Sequence, residues 1–386
     1  MATNPHNEPV LYPKSTALRA QSGPNRYAGP CSIAATNDIE AVLLFIKEYA
    51  HAPETQKTYL KHCRRLLKYA YEIAKKPLSG FNRQDFQAFE DFVTNPSTDW
   101  CGPKVRYQLA NGSVNPKWRP FAGPLDPVSV EHMIACINAL MNWLVKAGYL
   151  DINPLLLRRK PRVSRSEESR RIKHEAFDQD LVQELWRTLD NRPRHSKPQR
   201  DDFERVRFML SCFCTLGLRI GELVTHTMGD FRLVQDRWRF YVQGKGRSEK
   251  DEWLPVNEDL LVALRRYRGH LGLAPYPAPD EDKALVLNRA GRFAIGKRQL
   301  HNLVKALFVE TAERILPEKP HAAMFLARTA AHGLRHYYIS TLGSMPDIGL
   351  GVLMKLARHK NPATTGVYLK SSADERYRVA NQLKIK

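Results

Sequence analysis

Apolar residues recur along this chain mostly at helical spacing, and polar breaks separate the runs. Order is expected to begin at Thr36-Asn37-Asp38, and from there IEAVLLFIKEYA predicts a short helix. Pro53 to Ala74 predicts a longer one, with Leu60, Cys63, Leu67, Ala70 and Ala74 on one face. Asp126-Pro127 caps a third, lined by Val130, Met133, Ile134, Ile137, Leu140, Met141, Leu144 and Val145. Further on, helical periods cover Phe177 to Leu189, Asp202 to Leu216, Glu258 to His270, Lys297 to Leu316 and His332 to Leu342. WRFYV and EWLPV flank the turn QGKGRSEKD and predict a β-hairpin. The chain therefore reads as mainly α with a small β-sheet.

The non-periodic stretches mark the boundaries. Residues 1–36 are rich in Pro, Ser, Asn and Gly and predict a flexible arm. Residues 37–150 form a compact helical domain, interrupted at 94–127 by a stretch with six prolines and no period, which predicts a long surface loop. A linker at 151–175 follows, whose stretch from Pro154 to Lys173 sets Arg158, Arg159, Lys160, Arg162, Arg165, Arg170, Arg171 and Lys173 against only two glutamates. Residues 176–386 make a second, mixed α/β domain. Its tail, 371–386, carries Tyr377, Val379, Ala380, Leu383 and Ile385, enough apolar surface to dock on its own domain or on a second copy.

Charge narrows the partners. Lys plus Arg number 60 against 40 Asp plus Glu, a formal charge of +20, which points to a polyanion and above all to nucleic acid. Lys57, Lys61, Arg64, Arg65 and Lys68 share one arc of the second helix, so that arc and the linker arginines are candidate phosphate-tracking surfaces. A solvated lysine face is the plain alternative. No apolar run approaches the ~18 residues that would span a bilayer, and MATNPHNEPV lacks the features of a signal peptide. A cytoplasmic, nucleoid-associated protein without a membrane role is expected. Cysteines 31, 63, 101, 136, 212 and 214 show no C-x-x-C pair and no neighbouring histidine cluster, so reduced thiols are expected, with no metal site and no cofactor.

The second domain carries the chemistry. LGLRIGEL sets Arg219 at a helix start with Glu222 three residues on; QGKG puts Lys245 in the hairpin turn; AHGLRH puts His332 and Arg335 on one helical face. ARHKNPATTGVYLK then places His359 nine residues before Tyr368, with Asn361-Pro362 breaking the helix between and Thr364-Thr365 opening another. Singly each is a commonplace salt bridge, turn lysine or half-buried ring; their order is hard to produce by accident.

That order resembles the tyrosine recombinases, the phage-integrase family of site-specific DNA recombinases. The likeness covers about Asp38 to Lys386 and is sharpest over the second domain. It implies an N-terminal helical core-binding domain, a catalytic domain, double-stranded DNA as substrate, and a tetramer assembled on a recombination site, with or without an accessory protein. It assigns the phosphate-binding role to Arg219, Arg335, His332 and His359, leaving-group protonation to Lys245, nucleophilic attack to Tyr368, and support of the first arginine to Glu222. Two positions depart from the pattern: Arg358 stands where glycine is common before the second histidine, and Lys250 shares the turn with Lys245.

The residue types fit that reaction. A phosphodiester resists nucleophiles, so the charge of its pentavalent transition state must be neutralised in place, which fixed guanidinium forks do without a metal. A phenol with a pKa near ~10 needs a proton acceptor, for which His332 is the expected residue. The expected product is a 3′-phosphotyrosine, which a second DNA end attacks to reseal the strand. Two rivals share part of this pattern: a type IB topoisomerase, which swivels one duplex, and a catalytically silent DNA-binding accessory protein or repressor. The H-x-L-R-H box and the small helical domain favour recombination over the first, and all six positions being intact argues against the second.

Overall fold

The computed structural model describes residues 22–159, 177–242, 252–345 and 348–369, and the chain divides into two compact units at about residue 162. Lys160, Arg162, Arg170, Arg171, Lys245, Lys250 and the 371–386 tail lie outside the described residues.

In the first unit, α1 (Asp38–Lys47) starts where Asn37 Oδ1 accepts the Glu40 amide. Helix α2 (Pro53–Tyr69) opens on proline and runs into a π-helical turn, Ala70–Ala74, that ends at Lys75 in the left-handed region. Helix α3 (Arg83–Thr94) is closed by a reciprocal Asn82–Asp85 cap, and α4 (Pro127–Lys146) by Asp126. Their inward faces meet in one core through Phe45, Leu66, Leu67, Phe86, Phe89, Met133, Ile137, Leu140 and Leu144. Helix α4 is long and apolar enough to cross a membrane, contrary to the sequence expectation, but its apolar face is spent on this core.

Residues 1–21 of the expected arm lie outside the described residues, but its described part, 22–36, and the 94–127 stretch both pack on the first unit. In the presumed arm, Arg26 lies over the Tyr149 ring at 3.4 Å, Gly23 N donates to Ser79 Oγ at 2.9 Å, and Arg26 bridges to Leu150. Buried Asp38 anchors the same corner, accepting from Tyr149 Oη at 2.8 Å and from the Ser79 amide at 2.9 Å. The 94–127 stretch is not simply a surface loop, because Trp100 and Phe121 are buried in the core. Aperiodic sequence conceals such anchors, since single aromatics can contribute as much burial as a helical turn.

The second unit comprises α5 (Gln179–Asp190), α6 (Lys197–Leu216), α7 (Ile220–Thr225), strands β1 (Phe231–Val234), β2 (Arg237–Val242) and β3 (Glu252–Pro255), then α8 (Glu258–His270), α9 (Lys297–Ile315), α10 (Pro320–Arg328), α11 (His332–Gly343), α12 (Leu350–Ala357) and α13 (Pro362–Gly366). The sheet is antiparallel in the order β1-β2-β3, with Phe240 opposite Phe231 on one side and Leu254 on the other, so one face delivers all three to the core. The predicted hairpin is β2–β3; β1 was too short to read from alternation. Helix α13 begins at Pro362, two residues earlier than the threonines suggested, because Asn361 caps it and proline suits a first turn.

Candidate active site

The candidate residues of the second unit gather where the ends of α6 and α12 meet α11. Helix α6 ends at Gly217, whose φ of +55° lets the chain reverse. Arg219 follows as the cap of α7, its amide donating to Glu222 Oε2 at 2.7 Å and its Nη1 to Oε1 at 2.9 Å. Arg335 comes from buried α11, and both of its terminal nitrogens donate to backbone carbonyls, those of Gly217 and Ala357. The expectation that Arg335 offers a free fork therefore needs correcting: it is 2% exposed and ties the ends of α6 and α12 together. Arg219, whose side chain is 44% exposed, is the more accessible fork, although its Nη2 also donates to Arg358 O at 3.3 Å.

Arg358, the departure from the family pattern, has a place in this network. It caps α12 at φ +51°, the left-handed conformation for which glycine is the ordinary choice. Its buried guanidinium donates to Glu222 Oε2 at 2.7 Å and reaches Gly217 O at 3.3 Å. Glu222 is thus shared by two arginines. Burial works against its charge, but Arg358 and Arg219 outweigh burial and hold the carboxyl below the usual range.

Tyr368 is 6% exposed and follows α13. Its backbone lies against Gly343, where a Cβ would stand 2.4 Å from the Tyr368 carbonyl oxygen. The phenol hydrogen-bonds His336 Nδ1, not His332. His332, the acceptor expected from the sequence, does not make this contact. His336 sits one turn after His332 on the same face of α11, and the two rings meet edge to face at 4.6 Å. Its spacing in AHGLRH was legible; nothing local says which of the two imidazoles meets a tyrosine 32 residues away. His359 contacts Thr365 Oγ1 through Nδ1 at 3.0 Å, and its ring centroid lies 6.4 Å from that of Tyr368.

All three histidines are biased towards the neutral form. Burial, then neighbouring charges including Arg335, pushes His332 and His359 down to about 4, and burial with Arg335 lowers His336 as well. Burial raises the Tyr368 phenol, with Arg335 pulling the other way. The pair is therefore a protonated phenol facing a neutral imidazole. Among the described residues, no cluster of metal-ligating side chains falls at this site.

Residues 175–375 match the family model described as "Phage integrase family". The chain belongs to that family. It is 31% identical over 249 residues to a tyrosine recombinase XerC of Chromohalobacter salexigens, spanning 63% of this chain and 70% of the relative. A tyrosine recombinase of Thermosipho africanus is 22% identical over 333 residues, covering 86% and 94%. In fold, the chain is similar to XerH recombinase bound to its difH substrate (TM-score 0.57, 14% identity, 88% and 83% covered) and to the Tn1549 transposon integrase with transposon-end DNA (TM-score 0.55, 13% identity, 89% and 99% covered). The recombinase thus breaks and rejoins DNA in site-specific recombination.

The basic surfaces expected in the first unit fare unevenly. Lys57 and Lys61 are exposed. Arg65 is buried, donating to Pro120 O at 3.0 Å beneath the 94–127 segment. Arg64 stacks on Tyr107 at 3.8 Å, and Lys68 pairs with Glu72 over Trp100. Arg158 bonds Glu90 at 2.8 Å and Glu131 at 3.0 Å with 8% of its side chain exposed, which removes it from the DNA-facing set; Arg159 is exposed. A charge arc read on an isolated helix cannot register aromatics that arrive from elsewhere to cover it.

Proposed function

We propose that Tyr368 is the nucleophile and His336 its proton acceptor. The observation that carries this reading is the hydrogen bond between the Tyr368 hydroxyl and a neutral imidazole. Tyr368 Oη gives its proton to His336 Nδ1 and attacks the scissile phosphorus; the bond to the 5′ oxygen breaks, and that oxygen takes a proton from Lys245. The enzyme is left joined to the DNA 3′ phosphate, and a free 5′ hydroxyl reverses the step on the partner strand.

Arg219 binds non-bridging oxygens with its exposed fork, and Glu222 fixes its geometry. His332, solvent-accessible at its edge although its ring is partly desolvated among its neighbours, adds a donor from α11. His359, if Thr365 donates to Nδ1, carries its proton on Nε2 and donates to the phosphate. Arg335 lends charge from beneath while holding the ends of α6 and α12 together. Double-stranded DNA is the partner, and the family resemblance supports four copies acting together on a mobile-element or chromosomal site, in the cytoplasm with the nucleoid. The test is trapping on a nicked suicide substrate: Tyr368→Phe should bind DNA and give no covalent adduct, and an adduct in that variant would move the nucleophile elsewhere.

A further inference from the structure

The first unit holds a set of side chains to which the proposed reaction assigns no role. His62 of α2 meets His132 and Cys136, one turn apart on α4, and one ligand atom from each lies within 4.8 Å of the others. His62 is 2% exposed, yet neither of its ring nitrogens meets a hydrogen-bond partner among the described residues. A buried imidazole without a partner is costly in an apolar core, so such a ring calls for a ligand. His132 is exposed, and both histidines line an open groove of about 1040 Å³ between α2 and the 102–125 segment, which offers an entry path.

We propose that His62, His132 and Cys136 form a zinc(II) site that clamps α2 to α4. Two imidazoles and a thiolate are a donor set suited to zinc, and a fourth position facing the groove would take water. Tetrahedral bonds of ~2.0–2.3 Å set ligand atoms ~3.5 Å apart, so the observed span needs closing by about an ångström. The His62 and His132 rings stand edge to face at 5.5 Å, and the exposed His132 is the one able to turn. On binding, Cys136 loses its thiol proton to solvent as the sulfur–zinc bond forms. Lys61 and Arg65 flank the site and oppose a dication, an opposition that one thiolate offsets only in part. A modest affinity follows.

The full-length protein, freed of metal by chelation, would be titrated with cobalt(II) and separately with zinc(II). One equivalent of cobalt should bring up a thiolate-to-cobalt charge-transfer band with tetrahedral visible bands, zinc should abolish it, and zinc at a hundredfold excess over its dissociation constant should raise the melting temperature by on the order of 5 °C. His132→Ala, at an exposed position, and Cys136→Ser should keep the wild-type circular dichroism and lose both effects, and Cys63→Ser should keep both. No band and no zinc-dependent melting shift in the wild type would overturn the site, leaving His62 a core histidine. So would a band that survives Cys136→Ser or vanishes with Cys63→Ser. Should Cys136→Ser misfold, His132→Ala alone decides.

Discussion

Tyr368 and His336 share a hydrogen bond across 32 residues of chain, and the imidazole is one that burial and Arg335 keep neutral. His336→Ala should therefore lower the rate of covalent attachment by about 10²–10⁴-fold, the usual worth of a positioned base, while DNA affinity holds. His332→Ala should lower DNA affinity for the scissile site along with rate, since its ring edge is solvent-accessible. Single-turnover cleavage beside equilibrium binding separates the two; equal losses in both variants would sink the assignment.

The pH profile follows with a definite sign. The base must be unprotonated, and its pKa in the fold lies below the ordinary 6.5. The wild-type cleavage rate should accordingly stay level as pH falls through 6.5 and decline only below it. A midpoint at or above 6.5 would mean that His336 does not titrate as the required base.

Glu222 and Arg358 make an unequal pair. Arg358→Gly relieves a left-handed side chain and leaves Glu222 its bond to Arg219, so stability should change by no more than about 1 kcal/mol. Glu222→Gln leaves the buried Arg358 cation without its carboxylate and should cost about 3–5 kcal/mol, with loss of cleavage. Chemical denaturation of both variants checks the order, and a costlier Arg358→Gly would reverse it.

Lys245→Ala should slow cleavage of ordinary DNA far more than cleavage of DNA with a 5′-bridging phosphorothiolate, because sulfur departs without a proton. Rescue of Lys250→Ala in place of Lys245→Ala would transfer the role to the second lysine of the turn.

DNA binding should distinguish the exposed from the covered cations of α2. Lys57→Ala and Lys61→Ala should each reduce the slope of log affinity against log salt by up to ~0.9, whereas Arg65→Ala should leave the slope alone and lower the melting temperature. A reduced slope for Arg65→Ala would return that residue to the DNA-facing set.

What the sequence determined by itself were the features that act over a few residues. The cap at Asp126, the helical periods of both cores, and the ordered series Arg219, Lys245, His332, Arg335, His359 and Tyr368 were all legible, because helix period and cap chemistry are local and a family signature is linear. Only the tertiary structure decided which of two imidazoles one turn apart would meet the tyrosine, that Arg335 would spend its fork on carbonyls, and that Arg358 would reach Glu222 across 136 residues. It likewise buried Arg65 and Arg158, which the charge pattern had left facing DNA, and brought His62 beside His132 and Cys136, where the sequence had shown cysteines with no histidine cluster. The physical reason is the same each time: a side chain's charge and hydrogen-bonding capacity are fixed by its type, whereas its partner and its exposure are fixed by whichever distant segment packs against it.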